Sequence, residues 1–598
     1  MTWPEAAVLP TAANSIARPE PVETRVIRQL LEALLFEGLV PYRGDISVTD
    51  WQWLHFSLGE LQGRCKGRLR GFGRIRLNVQ SLCLTRQGRR VALGLESLVD
   101  QLPVSAEFRL ALLQELEATV RNARDCARVA QRRELDAESL DAALHEGHPY
   151  HPCFKARLGF EGDDPIRYGP EAGNTFQLHW LAVPYDQRLA CLPHEEEAFW
   201  RYELGAETAQ ALRVALLRAG ADPRRHAVLP MHPWQWQVLR DGALTSALAR
   251  GDVIALGALG DRYRASQSLR SLFNASRPSR ACVKLPLGIG NTSSRRHLEP
   301  HSVPSAPAIS RWLRATVESD PRFTQEYPLR LLEEYAGLLY IGRPDHLAGC
   351  EALAGELGAI WRRSIASQLR EGERAVPLNA LFAVEADGRP FIAPWVERYG
   401  VVAWLEAAIR SVVLPVWHLL VAHGIGVEAH AQNGLLVVRE GWPVALLLRD
   451  FHDSVEYVEA FLPQGAARPD FAERQPLYDR APDDRYYRMG KVEALRELVM
   501  DTLFVFHLSE LALLMECHYC LPETDFWRQV NGCLTAYTRR HPELAERLAQ
   551  LAYRRPRIAA EALLTHKLQG PGSPECHHLI PNALADAGVP DNRDDHRG

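Results

Sequence analysis

The stretch KLPLGIGNTSSRR, residues 284–296, decides the fold of this chain. An apolar run at residues 281–283 precedes it and predicts a short buried strand that ends at Lys284. The glycines within residues 288–291 predict a turn, and three hydroxyl residues and two arginines follow. Upstream, SQSLRS at residues 266–271 adds hydroxyls and a cation. Because lysine offers a point charge and arginine a planar fork, these residues suit a polyanion; the alternative is a solvated loop.

A second polar segment lies downstream. EAHAQN at residues 428–433 precedes two apolar runs, residues 435–438 and 444–448, and Asp450 follows the second run. The pattern predicts a hairpin with a polar loop on one side and an acid at the far end of its second strand. The order His, Asn and Asp is the one that kinase-like enzymes use to hold nucleotide and magnesium.

Five motifs, in this order, resemble the IucA/IucC family of NRPS-independent siderophore synthetases, which includes aerobactin, alcaligin and achromobactin synthetases. The resemblance covers residues 145–455; the C-terminal third matches more loosely, and the first 140 residues match mainly by position. Five ordered motifs make the resemblance specific, whereas one alone would be weak. The motifs are GHPYHP at 147–152 with Lys155, Arg157, Gly159 and Phe160; HPWQ at 232–235; Lys284 to Arg296; Glu428-x-His430-x-Gln432-Asn433; and Arg449-Asp450.

The resemblance implies an enzyme that condenses a carboxylic acid with an amine or alcohol. ATP is converted to AMP and pyrophosphate through an acyl-adenylate, and Mg²⁺ is the second cofactor. Citrate is the default acid, with α-ketoglutarate or a citryl or succinyl monoamide as alternatives, and the amine and the siderophore stay open. A homodimer is also implied by the resemblance alone.

The resemblance also assigns roles to individual residues. The residues implied to line the nucleotide are Ser268, Arg270, Ser271, Lys284, Asn433 and Asp450. Those implied to line the carboxylic acid and the adenylate are Thr292, Ser293, Arg296, His430 and Gln432. Glu428 and Asp450 are the magnesium candidates, since hard cations take carboxylate oxygens. The catalytic candidates are Lys284, Arg296 and His430. Ser271 replaces the threonine of many relatives and keeps its hydroxyl.

The chemistry of these side chains suits the implied reaction. A carboxylate must attack the α-phosphorus of ATP, and Lys284, Arg270 and Arg296 can neutralise the two polyanions that meet. His430 stands two residues before Gln432, so both side chains can point the same way. The alternative interpretation of His430 is a buried histidine of the core whose hydrogen bonds are all made within the protein. In a cleft it would hold a carboxylate or take the proton of the nucleophile.

The predicted fold class is α+β, with three regions arranged as a cupped hand around a deep basic cleft. We expect a thumb or support domain at residues 1–145, a fingers domain with the anion loop at 146–340, and a helix-rich, kinase-like palm at 341–598. A proline-rich connector at residues 300–307 and long helices after residue 350 motivate these boundaries.

Patterning also predicts the elements along the chain. Helices are expected at 22–39, 107–133, 195–219, 309–317, 350–370, 401–422, 491–520 and 527–552. Strands are expected within 51–98, 253–296 and 329–342, with the basic run 64–70 as a solvated edge strand. Lys155 and Arg157 are expected to be strand neighbours on one face. Extended chain is expected at 147–160 and 231–237, a mobile loop at 461–485, and a disordered tail from 586.

Bulk properties exclude other classes of protein. The 598 residues are 46% apolar and 24% charged, as in an ordinary globular protein. A chain of this length is longer than one hydrophobic core usually covers, so two to four domains are expected. The net charge, 69 − 74 = −5, argues against a nucleic-acid binder. Residues 1–21 lack the pattern of a secretory signal. The apolar stretches 412–421 and 503–515 are shorter than the ~20 residues of a membrane span, so we expect a soluble cytoplasmic protein.

Other functions stay open at this point. A kinase-like phosphotransferase shares the His, Asn, Asp order, but Gln432 stands where such enzymes place a catalytic carboxylate. A non-catalytic binder of carboxylates or siderophores is a third candidate. Cys517 and Cys520 could hold zinc only if residues 576–578 met them; free thiols are the alternative. The roles of His148, His151, Lys155 and Arg157 stay open.

Overall fold

The computed structural model describes residues 20–44, 51–124, 126, 131–292, 294–342, 353–569 and 576–585. Ser293 and the predicted tail from residue 586 lie outside these ranges. Helices and sheets are mixed, so the α+β class is confirmed. The described α-helices are Val22–Phe36, Leu95–Val99, Ala106–Arg124, Ala137–Ala143, Asp164–Tyr168, Glu196–Arg218, Pro233–Arg240, Thr245–Arg250, Ser302–Ser319, Arg322–Gln325, Ala393–Tyr399, Val401–His423, Phe471–Arg474, Leu477–Arg480, Val492–Val499, Ser509–Tyr519, Glu523–Arg540, Ala545–Leu551 and Leu563–Gln569.

A five-stranded antiparallel sheet packs against the first helix. The strands follow one another in space as they do in sequence: Tyr42–Arg43, Gln52–Leu58, Leu61–Leu69, Ile75–Arg86 and Arg89–Val91. Strand Leu61–Leu69 is therefore central, and the predicted solvated edge strand is wrong. Arg70, which follows it, is buried and pairs with Glu516 and Glu523 of the C-terminal helices.

An eight-stranded antiparallel sheet forms the middle of the molecule. Its order in space is Arg188–Cys191, Glu334–Tyr340, Gly358–Arg362, Cys282–Lys284, Ser271–Asn274, Ile254–Ala265, Phe176–Pro184 and His226–Met231. Lys284 ends its strand as predicted and is paired in register with Ser271. The sheet continues past residue 340, because strand Gly358–Arg362 lies between two of its members.

The glycine stretch after Lys284 is a strand, so the predicted turn at residues 288–291 is wrong. Strand Leu287–Asn291 pairs with Ser294–Arg296, and Thr292 between them has a φ of 59°. The turn therefore begins after the glycines. Gly288 instead allows a close approach: its backbone N donates to Oε1 of Gln235 at 2.8 Å.

The predicted hairpin is confirmed. Strands Gly434–Arg439 and Trp442–Leu448 pair antiparallel within a four-stranded sheet. Glu373–Pro377 pairs antiparallel on one side, and Leu329–Leu331 pairs parallel on the other. Two further two-stranded sheets join Ile425–Val427 to Val455–Tyr457 and Arg557–Glu561 to His577–Pro581.

Two helical segments are long and apolar enough to cross a membrane by length and composition. They are Val401–His423 and Val492–Tyr519, and 72% and 83% of their apolar windows are buried inside the protein. The second contains a π-helical stretch, Met500–Leu508. Both pack in the largest hydrophobic cluster, so their apolar character is that of core helices.

Several local predictions were wrong. Of the predicted helix 350–370, the described part contains strand Gly358–Arg362, because a short apolar run does not distinguish a strand from a helix. The aromatic segment 231–237 is largely helical: Pro233–Arg240 is capped by the His232 ring, which accepts from the Trp234 N at 3.1 Å.

Three further segments also differ from their predictions. The connector 300–307 lies mostly within helix Ser302–Ser319. Segment 147–160 is built of turns, with a φ of 45° at Arg157, so Lys155 and Arg157 are not strand neighbours. The loop 461–485 contains two short helices that bury Phe471 and Tyr478.

Candidate active site

A cavity of about 390 Å³ lies between the eight-stranded sheet, the hairpin and the turns after Gly147. It brings together residues that are far apart in the sequence, including Asp141, Lys284 and Leu563. Ten of the predicted site residues line this cavity: Ser268, Arg270, Lys284, Thr292, Arg296, Glu428, His430, Gln432, Asn433 and Asp450. Ser271 does not line it, but its strand pairs with that of Lys284. Ser293 lies outside the described ranges.

A buried ion cluster forms one wall. Nζ of Lys284 lies 2.8 Å from Oδ1 of Asp450, and Nη1 of Arg362 donates to the same oxygen at 2.6 Å. Burial alone would raise the pKa of Asp450, but the charges of Arg362 and Lys284 hold it well below its usual range. Burial lowers the pKa of Lys284. Asp450 therefore stays ionised and holds two cations at the strand end.

His452 extends this cluster. Its Nδ1 lies 2.8 Å from Oε1 of Glu334, and its Nε2 lies 3.1 Å from Oδ2 of Asp453. Burial lowers the pKa of His452, but the charges of Asp453 and Glu334 outweigh this and raise it to about 9. Glu334 also accepts the backbone N–H groups of Phe451 and His452 at 3.1 and 3.0 Å. The imidazolium is thus fixed between two carboxylates.

Arg270 and Arg296 face the cavity, and neither forms an ion pair with a carboxylate of the described residues. Within the described ranges, neither guanidinium has a carboxylate within 4 Å, and Nε of Arg296 has no hydrogen-bond partner. Arg270 donates to the backbone oxygen of His297. Burial and the charge of Arg270 lower the pKa of Arg296 to about 10, and burial lowers that of Arg270. Two desolvated cations side by side favour an anionic ligand.

The His430 loop forms the opposite wall. Nδ1 of His430 accepts from the backbone N–H groups of Gln432 and Asn433 at 3.1 and 3.2 Å, which fixes the ring. Nε2 lies 3.5 Å from Oε1 of Glu428. Glu428 in turn accepts from the Ser454 hydroxyl at 2.8 Å. Because Nδ1 accepts, the ring hydrogen lies on Nε2, which faces Glu428 as a hydrogen-bond donor.

Two histidines left open by the sequence also line the cavity. Nδ1 of His148 accepts from the N–H groups of Tyr150 and His151, and Nδ1 of His151 accepts from that of Cys153. Burial lowers the pKa of His148 to about 3 and that of His151 well below its usual range, so both are neutral. They shape the wall and add no charge.

Lys155 and Arg157 have a structural role. Nζ of Lys155 lies 3.0 Å from Oε1 of Glu171, and Arg157 grips the same carboxylate with two hydrogen bonds of 2.8 and 2.7 Å. Neither cation lines the cavity. They meet on one partner although the segment forms no strand.

Three of the eleven non-glycine residues that have a left-handed backbone in the described ranges lie at the cavity or next to it. Leu269, Thr292 and Asp450 have φ values of 67°, 59° and 64°, and each either lines the cavity or adjoins a residue that does. Such conformations are costly for residues with a side chain and persist where the surroundings determine them. They aim the polar side chains of Arg270, Asn291 and Asp450 into one space.

Sequence analysis missed several members of the site. Arg362 was placed in a predicted helix, and Glu334 in an undivided strand. His452 and Asp453 follow Arg449-Asp450 after a single residue, and this charged run was a usable signal. Leu563 lies on helix Leu563–Gln569, where no signal existed. Nζ of Lys567 on that helix donates to the Thr292 oxygen at 3.2 Å.

The sequence's zinc hypothesis finds no support in the described ranges. Cys517 and Cys520 are free and exposed thiols. The group of three metal-ligating side chains that these ranges contain is a different one, Asp320 with His418 and His423.

Residues 136–383 match the sequence profile of the IucA / IucC family. The chain is 34% identical over 567 residues to the citryl-spermidine/3,4-dihydroxybenzoyl-citryl-spermidine:spermidine ligase of Bacillus anthracis, which covers 92% of this chain and 91% of that protein. The chain belongs to the IucA/IucC family. The resemblance first noted in five motifs thus extends to nearly the whole chain, including the first 140 residues.

Other matches agree with IucA/IucC membership. The crystal structure of petrobactin biosynthesis protein AsbB from B. anthracis str. Sterne superposes with a TM-score of 0.86 at 32% identity, over 94% of this chain and 95% of that one. Aerobactin synthetase IucC from Klebsiella pneumoniae gives 0.78 at 25% identity, over 94% and 97%. Residues 402–574 also match a profile described as ferric iron reductase FhuF-like transporter.

Proposed function

We propose that the protein is a siderophore synthetase that joins a polycarboxylic acid, with citrate favoured, to an amine in an ATP-dependent reaction. The observation that carries this is the pair Arg270 and Arg296, two half-buried cations that face one cavity beside Lys284 and form no ion pair with a carboxylate of the described residues. ATP and citrate are polyanions of the kind that such a site stabilises. The choice of citrate as the acid rests on the relatives, since the B. anthracis ligase is named for citryl-spermidine.

The reaction consists of two displacements. In the first, an oxygen of the acid attacks the α-phosphorus of ATP, forming an acyl-adenylate and releasing pyrophosphate. Arg270 and Lys284 stabilise the charge on the phosphates, and Arg296 holds a carboxylate of the acid through its planar fork. In the second, the amine nitrogen attacks the acyl carbon, AMP leaves with the bonding pair, and a proton is lost from nitrogen. That proton passes to solvent, and Nε2–H of His430 donates a hydrogen bond to the acyl oxygen.

The residues present fit a magnesium ion. Glu428, Asp450 and Asp453 place carboxylates on the cavity wall, and hard cations take such oxygens. The contacts from Lys284 and Arg362 both go to Oδ1 of Asp450, so Oδ2 is the atom we assign to the ion. Glu428 and Asp450 are the proposed ligands. When bound, Mg²⁺ supplies charge neutralisation of the phosphates.

The amine has its own approach. Glu428, Asp453 and Ser454 also line a neighbouring cleft of about 1050 Å³. Nine carboxylate side chains face this cleft, against two cations, Arg485 and Lys491. Protonated amines are attracted to such a surface. This favours an amine over an alcohol, and a polyamine such as spermidine over a neutral nucleophile.

The remaining expectations are proposals of the same kind. We assign the thumb, fingers and palm to residues 1–145, 146–340 and 341–598, although strand Gly358–Arg362 ties the early palm to the fingers sheet. The kinase-like character of the palm, the homodimer and the cytoplasmic location rest on the family resemblance.

The test measures ATP–pyrophosphate exchange with a panel of acids. We expect exchange that requires an added acid, is highest with citrate or a citryl monoamide, and yields AMP. Mass spectrometry with a panel of amines then identifies the amide. Formation of ADP would indicate the phosphotransferase instead, and binding of the acid without exchange would indicate a non-catalytic binder.

A further inference from the structure

A second cluster of metal-ligating side chains lies at the end of helix Val401–His423. Oδ2 of Asp320 is 2.9 Å from Nε2 of His418 and 3.0 Å from Nε2 of His423. The three ligand atoms all lie within 4.8 Å of one another. None of the three residues lines the proposed active-site cavity. The cluster is therefore separate from the proposed ATP and acid site.

Two helix ends bring these ligands together. Asp320 directly follows helix Ser302–Ser319 and caps its C-terminal end, while His418 and His423 lie in the last turns of helix Val401–His423. The helix stops at Gly424, whose φ of 69° ends it directly after His423. Both imidazoles thus turn their Nε2 atoms toward one carboxylate oxygen.

The outer contacts of the cluster are those of a metal site. Nδ1 of His418 lies 2.7 Å from the hydroxyl of Tyr537 on helix Glu523–Arg540. A hydroxyl can accept from Nδ1–H while Nε2 binds a metal, and such a partner fixes the orientation of a ligating histidine. The backbone N–H of Arg322 donates to Oδ1 of Asp320 at 3.0 Å, which fixes the carboxylate.

Access to the cluster is from one side. Asp320 and His418 are buried, whereas His423 is 17% exposed. Nη1 of Arg322 lies 3.5 Å from Oδ2 of Asp320 and would compete with a cation. The Arg322 side chain is 40% exposed and also reaches Glu543, so it can turn away toward solvent.

We propose that Asp320, His418 and His423 bind one divalent transition-metal ion such as Zn²⁺. Two imidazoles and a carboxylate are ligands that first-row metals take, and a water completes the coordination. The ion would link the ends of helices Ser302–Ser319 and Val401–His423, with Tyr537 fixing His418 from a third helix. The alternative is a hydrogen-bonded cluster in which both Nε2–H groups donate to Asp320.

A titration with Co²⁺ separates the two. The full-length protein is dialysed against a chelator, then titrated while the visible absorption of cobalt is recorded, and Zn²⁺ is added as competitor. We expect about one Co²⁺ per chain, displaced by Zn²⁺, and a rise in Tm with Zn²⁺. His423→Gln removes one ligand at a partly exposed position and should weaken binding at least ~10-fold.

Controls decide where the ion binds. Asp320→Asn, which keeps the size of the side chain, should weaken binding similarly and replaces His423→Gln if that variant fails to fold. His194→Gln, an exposed histidine outside the cluster, and Cys517→Ser/Cys520→Ser should bind as the wild type does. The proposal is overturned if the wild type binds no Co²⁺, if the Asp320 and His423 variants bind equally well, or if the cysteine variant loses the ion.

Discussion

Nζ of Lys284 lies 2.8 Å from Oδ1 of Asp450, which joins the end of a strand in the eight-stranded sheet to the residue after the hairpin. Arg362 contacts the same oxygen. In the proposed function, the pair places a cation for phosphate and a carboxylate for a metal side by side before any substrate binds. Positions fixed in advance lower the cost of organising the transition state.

The first prediction concerns Lys284→Ala. We expect acid-dependent ATP–pyrophosphate exchange to fall ~10²–10³-fold, because a preorganised charge beside the phosphates is lost. Arg362 still compensates Asp450, so the protein should fold with a lowered Tm. The matched control is Lys66→Ala on the N-terminal sheet, which should leave exchange unchanged. Near-wild-type exchange in folded Lys284→Ala would refute the role of the lysine.

The second prediction separates acid from nucleotide. Arg296→Lys should raise the apparent KM for the acid far more than that for ATP, because lysine cannot reproduce the two parallel hydrogen bonds of a guanidinium. Asp450→Asn should instead weaken use of Mg-ATP and shift the magnesium dependence. Steady-state kinetics with each substrate varied would show this. Equal effects of Arg296→Lys on both substrates would contradict the division, as would an Asp450→Asn effect confined to the acid.

The third prediction concerns pH. The pKa of His452 is about 9 in the folded protein, above its ordinary value of 6.5. Its charged form therefore contributes stability that is fully present below pH 6.5 and is lost as the pH rises through 9. The difference in Tm between the wild type and His452→Gln should narrow between pH 6.5 and 10. A gap that stayed constant, or that matched His194→Gln, would exclude a charged His452.

The fourth prediction tests how the N-terminal sheet is held. Arg70 is buried between Glu516 and Glu523, so Arg70→Ala leaves the buried Glu523 without its cation, while Glu516 keeps Arg68. We expect a loss of ~3–5 kcal/mol in the free energy of unfolding. Arg64, which lies six residues earlier on strand Leu61–Leu69, is exposed, so Arg64→Ala should change stability little. Denaturant unfolding of both variants compares them, and equal losses would show that burial of Arg70 is unimportant.

The fifth prediction addresses the acidic cleft. Glu493→Gln/Glu497→Gln removes two charges from its wall without touching the anion cavity. The apparent KM for a polyamine should rise, and the rise should shrink at high salt because the attraction is electrostatic. Acid-dependent exchange, which needs no amine, should be unaffected. An unchanged KM for every active amine would exclude this route.

Sequence patterns predicted the parts of the site that are local. The hairpin is read from two apolar runs and a Glu-Gly turn, and Asp450 follows from its position after the second run. Lys284 follows from a short apolar strand. Each of these inferences needs only neighbours in the chain, and the structure places all of them as expected.

Features that depend on distant partners were not predictable. The glycines after Lys284 do not form the turn that the sequence predicts. Gly288 instead allows the side chain of Gln235 to approach the backbone, and this contact is seen only in the folded chain. Arg362 lies in a run too short to distinguish a strand from a helix. Arg70 looked solvated because its partners, Glu516 and Glu523, are hundreds of residues away.

The span of the cavity has a consequence for synthesis of the protein. Its walls include Asp141, in the first quarter of the chain, and Leu563, near the end of the described residues, and Lys567 donates to the backbone oxygen of Thr292. The eight-stranded sheet, whose last strand in sequence is Gly358–Arg362, can form while translation continues, but the ligand cavity cannot be completed until helix Leu563–Gln569 has left the ribosome. The ATP of the proposed reaction can therefore stabilise only chains that have emerged past that helix, and nascent chains must fold without it.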